Sequence, residues 1–314
     1  MAMTAEDVSR FERSRGRLEA IAYRLLGSAS EAEDAVQETF LRWQAADLGR
    51  IEVAEAWLTK VLTNLCLNQL TSARARRETY VGQWLPEPLL DGDPLLGPAD
   101  TVEQRESVSY AVLTLMERLA PSERAVYVLR EAFDYPHREI AAILEISESA
   151  SQQILHRAKQ HLATGRARTE VDEAAARRIV DEFIAAATSG QTDSIVRLLT
   201  ADAISVGDGG GKVPARTAAV EGALAVARYL RGIFKPSEAK RLYVGGKAEV
   251  YAWPVNSEPA LVVTVNDEVI GVLCIDVTAD GITAVRTQAN PDKLTRATEL
   301  FAASDHGEPL LTIL

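Results

Sequence analysis

Gln152, Gln153, His156, Arg157 and Lys159 lie within eight residues of one another. Their side chains supply what a reader of nucleic acid needs: amides for base edges and cations for phosphates. Ile154, Leu155, Ala158 and Leu162 recur among them at spacings of three and four, so one side of this helix is buried and the polar residues face out. Between Ser149 and Thr169 there is no acidic residue, while Arg157, Lys159, Arg166 and Arg168 are cationic. Upstream, Ile140, Ala141, Ile143 and Leu144 form a second apolar stripe. Ser147 is placed to cap the next helix, because its hydroxyl can accept from unpaired first-turn amides. Two short helices, a tight turn and a basic second helix make the pattern of a helix-turn-helix, whose second helix enters the major groove. An ordinary solvated helical hairpin carries the same pattern, so this stretch alone leaves both readings open.

The elements that must position these residues belong to a larger chain. At 314 residues, two or three domains are expected, and 47% hydrophobic content supports real cores. The net charge of −11 argues against general affinity for nucleic acid or membranes, but a local basic face suffices for DNA. No basic segment followed by an apolar run opens the chain, and no stretch of about 18 apolar residues occurs, so a cytoplasmic protein with no membrane span is expected. Cys66 and Cys274 lie far apart in apolar runs and read as core residues. No metal or cofactor is expected.

Residues from Phe11 to Arg77 read as helical throughout. Trp57, Leu58, Val61, Leu62 and Leu65 make one wide apolar face, with Lys60, Thr63, Asn64, Thr71 and Arg74 on the other side. Ser72 to Arg77 closes this helix with three arginines, which also suit a helix C-terminus for purely structural reasons. Composition changes at Tyr80. Between Val81 and Ser107 come four prolines and six acids against only Arg105, the mark of an acidic, proline-broken linker. Helical patterning resumes from Val108 to Arg168, with Pro121, Ser122 and Glu123 as a start signal and Ala125 to Phe133 as an apolar helix. After a helix from Val171 to Ala187 the pattern becomes mixed. Strands are predicted over Ala203–Val206, Arg241–Val244, Ala248–Trp253, Ala260–Val265, Val269–Val277 and Ile282–Thr287, and helices over Ser194–Leu199 and Ala218–Ile233. That order predicts an α+β domain with a curved sheet around a helix.

Two helical modules with basic outer faces, joined by an acidic linker, resemble a bacterial sigma factor of the small extracytoplasmic-function group, which keeps only the second and fourth sigma domains. Asp34, Gln37, Glu38, Phe40 and Leu41 fall on that family's pattern D-x-x-Q-E-x-F-L, so the resemblance implies that their helix grips core RNA polymerase, with an acidic and amide rim around an aromatic anchor. An amphipathic core helix with Phe40 and Leu41 buried is the plainer alternative. Ala56 to Leu70 resembles the promoter-melting helix, which implies DNA contacts at Lys60, Asn64, Asn68, Arg74, Arg76 and Arg77. The helix-turn-helix resembles the reader of the minus-thirty-five element and implies DNA contacts at Gln152, Gln153, His156, Arg157 and Lys159. The sequence departs from the commoner pattern twice. Glu145 stands where the turn usually has Gly, which raises strain if that turn needs positive φ. Ile154 stands where a cation is frequent.

The third domain resembles the SnoaL-like branch of the cone-shaped proteins related to nuclear transport factor 2. Three motifs sharpen this: Trp84, Leu85, Pro86, Glu87 and Pro88 in the linker; Asp208, Gly209, Gly210, Gly211 and Lys212 after a strand; and Asn290, Pro291, Asp292, Lys293 and Leu294 after the last strand. They resemble the signature of sigma factors with a fused SnoaL-like domain, which is taken to regulate in cis through intramolecular contact. Each has a plainer reading, as a rigid spacer, a tight hairpin and a capped helix start. Lys212 and the glycine turn are expected near Trp84 or the linker acids. The implied fold is multidomain: two all-α sigma domains, the second a helix-turn-helix, then an α+β cone. The boundaries are 1–80, an acidic linker 81–108, 109–168, 169–295 and a tail 296–314. The implied function is promoter recognition and transcription initiation with core RNA polymerase and promoter DNA as partners. The alternative is a DNA-binding regulator whose cone binds a small hydrophobic ligand or acts as a cyclase or isomerase. Such chemistry needs a base in the cone; this domain has no histidine before His306, and the facing of Asp181, Asp193, Asp202 and Asp276 is open. No enzymatic activity is expected.

Overall fold

Apolar periodicity and capping fix three long helices at the start of the chain. In the computed structural model these are α1 (Ala5–Leu26), α2 (Ala29–Ala45) and α3 (Ala54–Arg77). The structure describes residues 3–77, 80–97, 101–166, 173–189, 191–235, 238 and 245–313. Thr4 closes a capping box with Asp7 at the start of α1, and Gly27 ends it in the left-handed region with φ 68°. The chain divides into two compact units. One comprises Met1–Thr79 with Gly92–Arg166; the other comprises Tyr80–Asp91 with Ala167–Leu314.

In the helical unit, α1 packs on α2 and α3. Short helices follow: α4 (Val102–Val108), α5 (Tyr110–Met116) and α6 (Pro121–Tyr127), then a π-helical turn over Val128–Ala132. The helix-turn-helix is α7 (His137–Leu144) and α8 (Glu148–Arg166). Helix α3 packs against α6 and α7 as well as against α1 and α2. This corrects one expectation: Thr63, assigned to the polar outer face of α3, is fully buried, because that face also has neighbours. Two arginines join the same core. Arg24 donates from Nε to Ser107 Oγ at 2.9 Å and stacks over the Phe133 ring at 5.2 Å. Arg124 donates from Nε to the Arg24 carbonyl at 3.2 Å and pairs with Glu117 at 2.5 Å. Burial pushes the Arg24 guanidinium down to about 10 and that of Arg124 down to about 9, since desolvation disfavours the charged form.

The second unit has helices α9 (Glu173–Ser189), α10 (Thr192–Leu198), α11 (Ala223–Phe234) and α12 (Thr295–Ala302). Its strands are β1 (Leu199–Asp208), β2 (Val220–Glu221), β3 (Ala248–Ala252), β4 (Ala260–Val265), β5 (Glu268–Thr278), β6 (Gly281–Gln288) and β7 (Leu311–Thr312). They form one sheet in the order β2-β1-β6-β5-β4-β3-β7, antiparallel except for β1 with β6. Register shifts at Val263/Thr264 and Asp276/Val277 bend the strands and curl the sheet. Asn266 and Asp267, at φ 50° and 65°, make the tight β4–β5 turn. The strand expected over Arg241–Val244 lies outside the described residues.

An apolar cluster fills the space between the helices and one sheet face, with Phe183 of α9 edge-on to Phe234 of α11 at 6.2 Å. Leu273, Ile275 and Val285 belong to it. Alternation along a strand therefore turns Asp276 and Arg286 to the opposite face, where they pair. Asp181, Asp193 and Asp202 are exposed. None of the four carboxylates considered as a base enters this cluster.

Candidate nucleic-acid interface

On α8 the apolar stripe does what its spacing requires. Ile154, Ala158 and Leu162 are buried, and Gln152, Gln153, His156, Arg157 and Lys159 are exposed. Ser147 caps the helix, its Oγ accepting from Ala150 N at 3.1 Å. The burial of Ile154 explains why a cation is absent there. Glu145 adopts φ 57° and ψ 43°, so the turn does require the left-handed conformation that Gly takes at least cost. Carboxylates flank α8: Lys159 pairs with Glu131 at 2.7 Å, and Arg157 lies 3.7 Å from Glu123.

On α3, Asn68 is exposed and Asn64 half-buried. Lys60 is paired across the helical unit with Glu145 at 2.9 Å. One residue earlier, Thr59 Oγ1 shares a hydrogen bond with the Tyr135 hydroxyl at 3.0 Å. Arg74, Arg76 and Arg77 end α3, and their side chains lie outside the described residues. The turn between α2 and α3 encloses an open cleft of about 530 Å³, walled by Asp47, Arg50, Val53 and Trp57. Sequence reading missed it, because its walls come from a loop with no periodic signal.

Helix α2 divides its expected contact set. Asp34, Gln37 and Leu41 are exposed, Leu41 by 48%. Glu38 pairs with Arg42 at 3.0 Å. Phe40 is half-buried against Phe11, ring centroids 4.8 Å apart. Leu41 is therefore the more open apolar side chain on this face, and Phe40 is partly covered by Phe11.

In the second unit the three motifs meet. Asp208 is fully buried at the end of β1. Its carboxylate accepts from the Tyr80 hydroxyl at 2.6 Å, Leu85 N at 3.0 Å, Gly210 N at 3.0 Å, Gln288 Nε2 at 3.2 Å and Lys293 Nζ at 2.7 Å. Lys293 also donates to the Leu85 carbonyl at 2.7 Å and sits 4.2 Å above the Trp84 ring. Gln288 donates to the carbonyls of Leu85 and Pro86, and Asn290 donates to the Tyr80 hydroxyl. Leu85, Pro86, Glu87 and Pro88 are buried. Further along, Asn256 brackets Leu89, and Asp91 is tied to Pro254 and Ser257. Residues 80–91 thus form a strap clasped at both ends. Gly210, at φ 60°, must be glycine: a Cβ there would lie 2.4 Å from the Asn290 carboxamide. Burial, then the neighbouring Asp208 carboxylate, pushes the Tyr80 phenol well up. The cation above Trp84 is Lys293; Lys212, expected near Trp84, pairs instead with Asp292 at 2.6 Å. Gly211 does approach the strap, at Val81. Tyr80 and Gln288 went unnoticed in the sequence because their partners lie 128 and 80 to 203 residues away.

Residues 10–76 match the model for Sigma-70 region 2, and residues 109–162 match Sigma-70, region 4. The chain is 39% identical over 228 residues to the ECF RNA polymerase sigma factor SigJ of Mycobacterium tuberculosis, covering 72% of this chain and 73% of that protein. The chain belongs to the extracytoplasmic-function sigma factors. This sigma factor is also 32% identical over 281 residues to the probable ECF RNA polymerase sigma factor SigI of the same species, covering 87% of this chain and 90% of that one. The crystal structure of Mycobacterium tuberculosis SigJ matches it with a TM-score of 0.71 at 33% identity, over 92% of this chain and 98% of that chain. The fold is therefore that of two helical sigma domains followed by an α+β domain, and the function is that of an alternative sigma factor directing transcription initiation. Among the described residues, no helix of this sigma factor is long and apolar enough to cross a membrane.

Proposed function

We propose that this sigma factor binds core RNA polymerase through Asp34, Gln37, Glu38 and Leu41, reads the minus-thirty-five element with Gln152, Gln153, His156, Arg157 and Lys159, and engages the minus-ten strand with Lys60, Asn64, Asn68 and the arginines ending α3. The observation that carries this reading is the exposed amide and cation face of α8 inside the region-4 match. The cleft beside Trp57 has the size and mixed lining to accept one unstacked base of the opened strand. The protein acts in the cytoplasm. The C-terminal domain regulates in cis by holding the strap: a clasped Tyr80–Asp91 restrains the linker, and a released one lets the two DNA-reading modules part.

The reading is tested by run-off transcription with core polymerase on a cognate promoter, which must depend on this chain. Arg157→Ala is expected to weaken promoter binding by about 1 kcal/mol and to lower the salt slope by about one. An unchanged affinity and slope remove Arg157 from the interface. Absence of any promoter-dependent transcript overturns the assignment of the two faces.

A further inference from the structure

The motif residues that grip the strap have outward-facing neighbours, and these neighbours build a second feature. Val213 follows the glycine turn, and Pro291 and Leu294 belong to the motif after β6. Together with Val269 and Ile270 at the start of β5 they line a groove of about 350 Å³, which α12 closes along one wall with Thr295, Thr298 and Glu299. Val269 N donates to Thr298 Oγ1 at 3.1 Å and fixes that wall to the sheet. Leu294 and Val269 are buried, while Ile270 is 37% exposed at the open side. This volume is in the range of small-ligand sites.

Among the described residues, the ionisable groups of the lining are Glu268 and Glu299, both exposed carboxylates, with no cation beside them in the lining. An apolar floor with anions at its mouth is complementary to one ligand chemistry. We propose that the groove binds a small amphiphilic amine, its apolar body on Val269, Ile270 and Leu294 and its ammonium between Glu268 and Glu299, and that occupancy alters the clasp on the strap. The coupling is short. Leu294 in the groove adjoins Lys293, whose ammonium touches Asp208, the Leu85 carbonyl and the Trp84 ring. A shift of Leu294 therefore moves the cation that holds the strap. The groove lies apart from the apolar cluster between helices and sheet, so the site differs from a ligand cavity inside the cone. The second half of the proposal rests on the strap being a regulatory element; the first half does not.

The experiment titrates the full chain with n-octylamine, n-octanol and octanoate by calorimetry, with tryptophan emission recorded in parallel. Saturable binding of octylamine at one site is expected, with a dissociation constant on the order of 1 mM for so small a ligand. Octanol should bind about tenfold more weakly and octanoate not at all. Glu268→Gln with Glu299→Gln should weaken the amine about tenfold and leave octanol unchanged, as loss of two solvent-exposed ion pairs implies. Ile270→Lys, at an exposed position, should abolish binding by placing a cation in the mouth. Equal binding of amine and alcohol, or an amine affinity indifferent to the two glutamates, overturns the site. Octylamine should also change Trp84 emission, a change lost in Trp84→Phe. Asp208→Asn separates the two readings, since it should shift Trp84 emission without ligand. If it does and octylamine does not, the coupling is wrong and the strap reading stands. If Asp208→Asn leaves the emission alone, the strap reading has failed, while calorimetry still decides the site.

Discussion

Asp208 shows how much one side chain can organise. Fully buried, it accepts five hydrogen bonds, three from its own domain and two from the strap. A buried carboxylate is tolerated only when paired and hydrogen-bonded, and here Lys293 supplies the pair. In Asp208→Asn the amide nitrogen would face donors and the pair would be lost, a local cost of about 1–3 kcal/mol. Because the chain has two units, global unfolding is a poor reporter. Hydrogen exchange at the Leu85 amide should instead accelerate about tenfold or more, and an unchanged rate would show that the strap is held elsewhere. Tyr80 adds a pH dependence. Its folded pKa is raised, first by burial and then by Asp208, so the folded state retains a proton that the released strap gives up. The clasp is then fully present below the ordinary phenol value of about 10 and weakens as pH rises beyond it. Trp84 emission should report this loss, and Tyr80→Phe should remove its steep alkaline component. A profile identical in Tyr80→Phe would clear the phenol of any part.

At the scale of elements, the turn before α8 carries the clearest local conflict. Glu145 holds a left-handed conformation that costs a non-glycine residue roughly 1–2 kcal/mol. Its carboxylate pairs with Lys60 of α3, an exposed pair worth little in stability. Glu145→Gly should therefore stabilise the helical unit by about 1 kcal/mol after allowing for the added freedom of its unfolded chain. It also frees Lys60, so promoter-strand affinity should rise; thermal unfolding and a single-strand binding assay check the two effects separately. A fall in affinity would mean that Lys60 does not face the strand. The need for positive φ here was readable from the motif's usual glycine, and the faces of α8 from its periodicity. Thr63 was misread because a one-sided pattern was assumed for a helix packed on two sides. Strand β2 was read as the start of the helix expected over Ala218–Ile233, which begins only at Ala223, and β7 escaped notice, because two residues carry no alternation. The clasp was half legible: its motifs stood out, but which lysine meets Trp84 depends on where the chain turns after β6, and local sequence does not encode that.

For the whole molecule, the promoter itself sets a length. Elements centred at minus ten and minus thirty-five lie about 25 base steps apart, roughly 85 Å along B-form DNA at 3.4 Å per step. A compact body of the helical unit's size has a radius of gyration of roughly 15 Å. The arrangement stitched by Arg24, Arg124, Thr59 with Tyr135, and Lys60 with Glu145 therefore cannot read both elements at once. If the two modules read these elements as proposed, the unit has to open between α3 and α4, where residues 78–101 have a fully extended reach of about 80 Å, half of them belonging to the strap. On such an opening the buried Arg24 and Arg124 guanidinium groups regain water, which offsets the loss of their bonds to Ser107 and to the Arg24 carbonyl. Joining Lys60→Cys and Glu145→Cys with a short bis-maleimide tests this directly; native Cys66 and Cys274 are buried and shielded from the reagent. The crosslinked protein should lose at least about tenfold in binding to a duplex carrying both elements and in promoter-directed transcription relative to the same double-cysteine protein before crosslinking, so that the loss of Lys60 is common to both arms. Full transcription from the crosslinked protein would mean that the modules need not part there, and the strap would then have no opening to control.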